Sequence, residues 1–240
     1  MRILIKDITF SYSGQEQPLF KDLSFSIQGP GFFSLFGFSG CGKSTLARII
    51  AGLLISQKGG VFLPDKAKCL LCYNSERLPG WHSVGAHFEK ICPSNKKELL
   101  NELIYEFALG NILKKRFFRL SMGQKNRANL IRYLVQEFDV LICDEVLANV
   151  DEPSRNHILS VLKDKFQEKT ILYISHNVEE VCCYSKKIFI LPQKQTIGSS
   201  NLKSIEGLDL SSIQKVDKKK LQGLILNVLA LASFSNRPSA

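Results

Sequence analysis

The chain has 240 residues, 45% of them hydrophobic and 22% charged, which excludes disordered and collagen-like classes and predicts a domain with a substantial buried core. No apolar stretch approaches the roughly 20 residues that a membrane-spanning helix needs. The formal charge is +10, but the lysines and arginines are scattered and follow no RNA-binding or zinc-finger pattern. We therefore expect a solvated basic surface and no nucleic-acid partner.

Two features predict a cytosolic compartment. Residues 1–10 alternate charged and apolar side chains, whereas a secretory signal has a basic start followed by an unbroken apolar core. The seven cysteines are an odd number, which favours reduced thiols over a disulfide framework. Cys69 and Cys72 have the spacing of metal ligands, but no second pair is placed to complete a site, so we expect them in a buried strand.

The first half of the chain predicts strands, a glycine-rich turn and two helices. Alternating or fully apolar runs indicate strands at 2–12, 23–27, 32–36 and 69–73. Helical spacing at 43–54 follows the glycine-rich turn at 37–45 and is closed by a break around 57–60. The segment 74–93 is irregular. A helical insert built on the pattern at 96–109 then runs to about residue 120, with Gly110 as the helix stop.

The second half of the chain alternates helices with apolar strands. We predict helices at 123–136, 153–166 and 177–183, and strands at 140–143, 170–175 and 187–191. A less regular stretch at 198–201 precedes a final helix at 213–232. This alternation is typical of an α/β protein with a parallel sheet.

Residues 37–45 match the phosphate-loop pattern G-x-x-x-x-G-K-[ST], directly after a predicted strand and directly before a predicted helix. Glycines let the backbone N–H groups surround a phosphate, and the helix adds the positive end of its dipole. The Lys43 ammonium can neutralise phosphate oxygens, and the Ser44 hydroxyl can ligate Mg²⁺. With ATP and Mg²⁺ as the cofactors, the predicted nucleotide-binding residues are Gly37, Phe38, Ser39, Gly40, Cys41, Gly42, Lys43, Ser44 and Thr45.

Cys41 lies inside this loop, close to Lys43 and to a helix start. Both influences favour the thiolate form of a cysteine. We therefore expect alkylation of Cys41 to block nucleotide binding, and bound ATP to protect the thiol.

Two acids follow the apolar run at 140–143. A strand of a parallel sheet delivers its last residues to the carboxyl edge of the sheet, where ligands of open α/β folds bind. Asp144 would hold Mg²⁺ opposite Ser44, and Glu145 could polarise the water that attacks the γ-phosphate. His176 follows the next apolar strand and should reach the same edge, although a solitary histidine after a strand is often a structural residue.

The segment Leu120-Ser121-Met122-Gly123-Gln124 resembles the Leu-Ser-Gly-Gly-Gln signature of ATP-binding-cassette (ABC) ATPases. Other motifs of that family occur in the family's order over roughly residues 2–195. Tyr12 is similar to its adenine-stacking aromatic residue, and Asn74 falls at the position of its Q-loop glutamine. Asp144 and Glu145 match its Walker B pair, the segment 148–151 is similar to its D-loop, and His176 is similar to its switch histidine.

The resemblance implies the fold of that family: α/β, a P-loop NTPase core with a mainly parallel sheet, an antiparallel β edge and an inserted α-helical subdomain. It implies an ATPase domain at 1–198 with the helical subdomain at about 76–122, and a partly helical C-terminal extension at 199–240. It also implies an ATP-dependent, head-to-tail homodimer that holds two ATP molecules between its subunits. The nucleotide-binding residues then include Tyr12, Ser121, Gly123, Gln124 and Asp151, the catalytic residues are Glu145, His176 and Asn74, and the Mg²⁺ site comprises Ser44, Asp144 and Asn74.

Ser121 and Gly123 begin a helix, whose free N–H groups and positive dipole end could meet the γ-phosphate of a second subunit. A simple N-cap by Ser121 is the alternative. Two residues depart from the family pattern. Met122 replaces a glycine, so its side chain must point away from the phosphate. Asn74 is one methylene shorter than glutamine, so we expect slower hydrolysis than an Asn74→Gln variant would show.

A transport role requires a separate permease. The stretch 74–84 lies where ABC ATPases receive their permease, and its Arg77–Trp81 part is similar to a short stretch of nitrate/sulfonate/taurine-type importer ATPases. Trp81 could contact this partner or pack the insert onto the core. We expect an importer ATPase at the inner face of the cell membrane, acting with an integral membrane permease and a solute-binding protein. The alternatives are a soluble ABC ATPase in nucleic-acid metabolism, an assembly scaffold, and a regulatory module without turnover.

Overall fold

The computed structural model describes residues 2–74, 76, 80–192, 202–211 and 216–233. Its strands and helices are, in chain order, β1 (Arg2–Phe10), β2 (Phe20–Gln28), β3 (Gly31–Phe36), α1 (Lys43–Ile50), β4 (Lys58–Phe62), β5 (Cys69–Tyr73), α2 (Val84–Ile91), α3 (Lys97–Glu106), α4 (Met122–Leu134), β6 (Val140–Asp144), α5 (Glu152–Lys165), β7 (Thr170–Ile174), α6 (Val178–Tyr184), β8 (Lys187–Ile190), β9 (Lys203–Glu206) and α7 (Lys218–Ser233). Short 3₁₀ turns lie at Ser94–Lys96, Gly110–Ile112 and Phe117–Arg119.

Within the described residues the strands form two sheets. β1 pairs antiparallel with β2 and with β4, in a three-stranded sheet of order β2-β1-β4. The core sheet has the order β5-β6-β7-β3-β8-β9, and its neighbouring strands are parallel except for β8 and β9. The prediction of an α/β fold with a mainly parallel core sheet and an antiparallel β edge is confirmed.

The central strands of the core sheet are buried on both faces, which explains their fully apolar sequences. Successive side chains of a strand point to opposite faces. Val140 and Ile142 of β6 pack in the core shared with α1 and the three-stranded sheet, whereas Leu141 and Cys143 pack in the core shared with α4, α5 and α6. This double-sided packing holds the carboxyl ends of β3, β6 and β7 along one edge.

A helical insert lies between β5 and α4, as predicted. Its first helix, α2, occupies part of the segment 74–93 that we expected to be irregular, so that expectation is wrong. Ser83 caps α2 by accepting a hydrogen bond from the backbone N–H of Ala86 at 3.3 Å. Val84 and Phe88, four residues apart on one face of the helix, are buried.

The predicted break around 57–60 is the strand β4. The pairing of β4 with β1 shifts register between Lys6 and Thr9. Gly59, opposite this shift, has a φ of 72°, and the carbonyl groups of β1 leave no room for a Cβ atom there. The glycines that suggested a break therefore form an irregularity inside a paired strand.

The C-terminal part of the chain packs on the same core. The boundary predicted at residue 198 lies outside the described residues. Beyond it, β9 pairs with β8, and α7 packs against α6 and buries Leu221, Val228 and Ala232. The sequence pattern did not predict β9, because this strand has only four residues and none of them is fully buried. No helix in the described part of the chain combines the length and hydropathy needed to cross a bilayer.

Candidate active site

The glycine-rich loop connects β3 to α1 at the carboxyl edge of the core sheet. Gly40 and Gly42 have φ values of 78° and 103°, a left-handed region that residues with a Cβ atom rarely adopt. A Cβ atom on Gly42 would also collide with the ring of Phe20. Glycine is therefore required at position 42 for both its conformation and its size.

Lys43 is folded back onto this loop. Its Nζ donates hydrogen bonds to the carbonyl oxygens of Gly37 at 2.8 Å and Phe38 at 3.1 Å, and the residue is only 5% exposed. A buried ammonium group needs such acceptors. Phosphate oxygens held by the loop could take over this role, because hydrogen bonds between ionised partners are stronger.

Tyr12 lies beside the first turn of α1. Its hydroxyl oxygen is 2.8 Å from Oγ1 of Thr45, and its ring makes an edge contact with Phe10. The residue is 39% exposed, so part of the ring is accessible from solvent. The structure therefore brings the predicted adenine-stacking residue next to the phosphate loop, and the stacking itself stays a prediction.

Asp144 ends β6 and is buried. Its Oδ1 has no hydrogen-bond partner among the described residues. Burial raises the pKa of this carboxyl group, while a hydrogen bond with Ser44 acts in the opposite direction. An unpartnered buried carboxylate oxygen close to a serine hydroxyl fits Mg²⁺, which prefers oxygen ligands.

Glu145 and His176 meet at the same edge of the sheet. Oε1 of Glu145 lies 2.5 Å from Nε2 of His176, and both side chains are partly exposed. Because β7 lies between β6 and β3, His176 emerges between the phosphate loop and the acid. Glu145 has a φ of 53°, and its N–H donates to the carbonyl oxygen of Ile174 at 3.0 Å. Residues other than glycine uncommonly adopt this left-handed conformation, and Glu145 is one of six that do so in the described part of the chain.

Asn74 follows β5 and is tied to three neighbouring segments. Its N–H donates to the carbonyl oxygen of Asp144 at 2.9 Å. Its Oδ1 accepts hydrogen bonds from Nδ2 of Asn126 in α4 at 3.0 Å and from Nδ2 of Asn149 at 3.4 Å. The oxygen that would approach Mg²⁺ or water is therefore engaged by other amides, and a catalytic role requires it to exchange these partners.

The signature segment starts α4 with a capping box. Ser121 Oγ accepts from the N–H of Gln124 at 3.2 Å, and Gln124 Oε1 accepts from the N–H of Ser121 at 3.1 Å. Met122 is 41% exposed, so its side chain points into solvent. Gly123 lies against the carbonyl oxygen of Asn149, where a Cβ atom would be only 2.5 Å from that oxygen. The N-cap expected as the simpler alternative is therefore present, and binding to a nucleotide stays a prediction.

Asp151 caps α5 within its own chain. Its Oδ1 accepts a hydrogen bond from the N–H of Ser154 at 3.0 Å, and this bond lowers the pKa of the carboxyl group. This cap within one chain does not test the predicted contact of Asp151 with nucleotide at a dimer interface, which stays a prediction.

The sequence reasoning missed a buried ion pair beneath His176. Glu180 is 2% exposed, and its Oε1 lies 2.5 Å from Nε of Arg155. The available signal is an acidic residue four positions after His176 on a helix whose following residues are apolar. It is a weak signal, because acids are also common in the first turn of exposed helices.

The expectation of a thiolate at Cys41 is wrong. Cys41 is 4% exposed, and burial raises the pKa of its thiol. Lys43 lowers this pKa, but its charge has the smaller effect. All seven cysteines are free thiols.

Trp81 is 73% exposed, so it does not pack the helical insert onto the core. The exposed indole keeps open the alternative in which Trp81 contacts a partner. Four residues of the stretch 74–84, namely Ser75 and the segment 77–79, lie outside the described residues.

Comparisons with known proteins bear on the family and the fold of this chain. The family profile described as "ABC transporter" matches residues 20–148. An uncharacterized ABC transporter ATP-binding protein of Haemophilus influenzae is 28% identical, over 81% of this chain and 83% of that protein. The aliphatic sulfonates import ATP-binding protein of Bacillus subtilis is 29% identical over 80% of both chains, and the taurine import ATP-binding protein of Mesorhizobium japonicum is 26% identical over 79% of both. A bacterial Atm1-family ABC exporter with ATP bound shares the fold, with a TM-score of 0.76 and 19% identity over 95% of this chain and 41% of that chain.

Proposed function

Because this chain belongs to the ABC transporter family and is an ATP hydrolase, we propose that it powers the import of a solute through a separate integral membrane permease. The import ATP-binding proteins for sulfonates and taurine, which match 80% and 79% of the chain, support the direction of transport. The proposal includes a solute-binding protein that delivers the solute. Attachment to the permease places the chain on the inner face of the cell membrane.

One observation carries the catalytic part of the proposal. The phosphate loop follows β3, His176 follows the neighbouring strand β7, and Glu145 follows the next strand, β6. The contact of 2.5 Å between Glu145 and His176 supports a role for Glu145 as the proton acceptor at this edge of the sheet. A general base must be within hydrogen-bond reach of the proton that it accepts, and this edge of the sheet allows such an approach.

Each residue of the site has a distinct role in the proposed reaction. Lys43 leaves its carbonyl partners and binds phosphate oxygens of ATP. Ser44 and Asp144 would hold Mg²⁺, which neutralises charge on the phosphate oxygens when it is bound. Glu145 accepts a proton from the attacking water, a step worth about 10²–10⁴-fold in rate. His176 holds the Glu145 carboxylate in place through their contact.

Two copies of the chain close head to tail on ATP in this proposal. The exposed Ser121 end of α4 supports it, because the positive end of the helix dipole faces solvent there. The γ-phosphate held by one copy would meet Ser121 and Gly123 of the other, with Gln124 and Asp151 nearby. Closure pulls the two halves of the permease together, and hydrolysis separates the copies again.

The variant Glu145→Gln tests both steps. With ATP and Mg²⁺ it should accumulate as a dimer by light scattering and release little phosphate. Glu137→Gln is the matched control, since Glu137 pairs with Lys96 away from the loop and should leave hydrolysis unchanged. A Glu145→Gln protein that stays monomeric, with or without its membrane partner, would contradict the proposed dimer. Hydrolysis at the original rate would remove Glu145 from its role.

The permease is tested by affinity capture from detergent-solubilised membranes. An integral membrane protein should be retained, and Trp81→Ala should weaken its retention because the exposed indole would no longer contribute to the interface. Capture of soluble proteins or nucleic acid alone would instead favour the nucleic-acid or scaffold alternative.

A further inference from the structure

Glu180 is buried beneath the turn that carries His176, and its carboxylate is fully engaged. Oε1 accepts hydrogen bonds from Nε of Arg155 at 2.5 Å and Nδ2 of Asn177 at 3.0 Å. Oε2 accepts from the hydroxyl of Tyr173 at 2.9 Å and that of Ser175 at 3.2 Å. An ionised carboxylate has about four acceptor positions, so this one acts as a hub for side chains from β7, α5 and the turn itself.

His176 lies between two of these partners in sequence. Ser175 Oγ accepts a hydrogen bond from the N–H of Asn177 at 3.1 Å. Asn177 Oδ1 in turn caps α6 by accepting from the N–H groups of Glu179 and Glu180 at 3.0 and 3.2 Å. The backbone on both sides of His176 is therefore held by side chains that end on one carboxylate, whereas the imidazole itself is exposed.

The other end of the network reaches the segment 148–151. Nη1 of Arg155 donates to the carbonyl oxygen of Val150 at 2.9 Å, while its Nε binds Glu180. The planar guanidinium group can hold two such acceptors in a fixed relative position, which a lysine ammonium cannot do. The neighbouring residue, Asn149, packs against Gly123 at the start of α4. Contacts therefore run from the signature helix through the segment 148–151 to Glu180.

We propose that Glu180 is a positioning residue for hydrolysis, which ties the segment 148–151 to the His176 turn and thereby holds the imidazole against Glu145. The inference rests on the proposed roles of Glu145 and His176. A shift of the segment 148–151 by a second subunit would reach the His176 turn through the Glu180 carboxylate. The competing explanation is a purely structural ion pair between α5 and α6, which would affect stability but not the placement of His176.

Nuclear magnetic resonance of the ligand-free protein separates the two explanations. The chain has four histidines, so ¹⁵N-labelled imidazole signals can be assigned by single substitutions. In Glu180→Gln the signals of His176 should shift, while those of the other histidines stay in place. Glu106→Gln is the matched control, because Glu106 contacts His157 at 2.7 Å and should move only the His157 signals.

Single-turnover phosphate release provides the second measurement. Glu180→Gln should lower the rate about 10- to 100-fold, as expected for a displaced catalytic group, and should change the Kd for ATP by less than about twofold. In a His176→Ala background the same substitution should cause no further loss, since Glu180 acts through His176. If Glu180→Gln does not fold, Ser175→Ala can be used instead. It removes one hydrogen-bond donor to the Glu180 carboxylate and should shift the same His176 signals.

Unmoved His176 signals in the folded variant would overturn the proposal whatever its turnover. Unchanged turnover of Glu180→Gln despite shifted His176 signals would also overturn the proposal. So would a further loss of rate when Glu180→Gln is added to the His176→Ala variant. Failure of the proposed function has a different signature: Glu145→Gln would retain turnover, while the resonance experiment would still report how His176 is placed.

Discussion

Gly123→Ala tests the close packing of the signature helix against the segment 148–151. An alanine Cβ at position 123 would lie 2.5 Å from the carbonyl oxygen of Asn149, about 0.9 Å inside the 3.4 Å at which ordinary contact begins. The obstructing atom belongs to the backbone, so it cannot rotate away. Overpacking of this kind costs about 1–3 kcal/mol of unfolding free energy, which outweighs a gain in helix propensity of up to about 1 kcal/mol.

Gly223→Ala in α7 is the matched control, because a Cβ atom there meets nothing within 4 Å. It should stabilise the protein by about 0.5–1 kcal/mol through helix propensity alone. The two variants should therefore differ by roughly 1–3 kcal/mol in urea unfolding followed by circular dichroism.

Phosphate release should fall in Gly123→Ala and stay unchanged in Gly223→Ala, because only the first substitution displaces Asn149. Equal stability of the two variants, with full turnover in both, would refute the packing argument. A loss of turnover without loss of stability would show that the side chain obstructs ligand binding rather than the fold.

Three further predictions concern the phosphate loop and the residues around it. Native Cys41 should react with iodoacetamide at pH 7.5 much more slowly than in urea, because burial both shields the thiol and raises its pKa; equal rates measured by mass spectrometry would contradict this. Burial raises the pKa of the Asp144 carboxyl group, so the folded state favours its protonated form. The protein should therefore lose stability as pH rises from the pKa of Asp144 in the unfolded chain, about 3.9, through its higher pKa in the folded protein. Asp144→Asn should therefore raise the unfolding free energy of the ligand-free protein at pH 7. The variant should also lose the stabilisation by ATP with Mg²⁺, which is about 2.7 kcal/mol at a ligand concentration of 100 times Kd. A variant that keeps this stabilisation would exclude Asp144 from the metal site. Asn74→Gln should increase phosphate release, because the longer side chain can bring its amide oxygen to the attacking water once Asn126 and Asn149 no longer donate hydrogen bonds to that oxygen. Unchanged or lower turnover would refute the argument that the asparagine side chain is too short.

Local patterns in the sequence were sufficient to predict the strands, the loop and the helix that form the site. The apolar runs at 140–143 and 170–175 indicate buried parallel strands, because both faces of such strands are covered. The strand–loop–helix order around 37–45 predicts the phosphate loop, since glycine, lysine and serine are needed there for reasons local to the loop. The structure places Asp144, Glu145 and His176 at one sheet edge, where parallel strands must deliver the residues that follow them.

The sequence by itself determined the order of the strands, loop and helix that form the site and which side chains follow those strands, because these depend on periodicity and on neighbours in the chain. Only the tertiary structure decided which of the many charged residues are buried. Glu180 and Arg155 meet across 25 positions, and Asn74 receives amides from positions 126 and 149, through contacts that no local pattern specifies. Cys41 shows the same limit, since its neighbours in sequence favour a thiolate whereas desolvation, set by distant packing, raises its pKa.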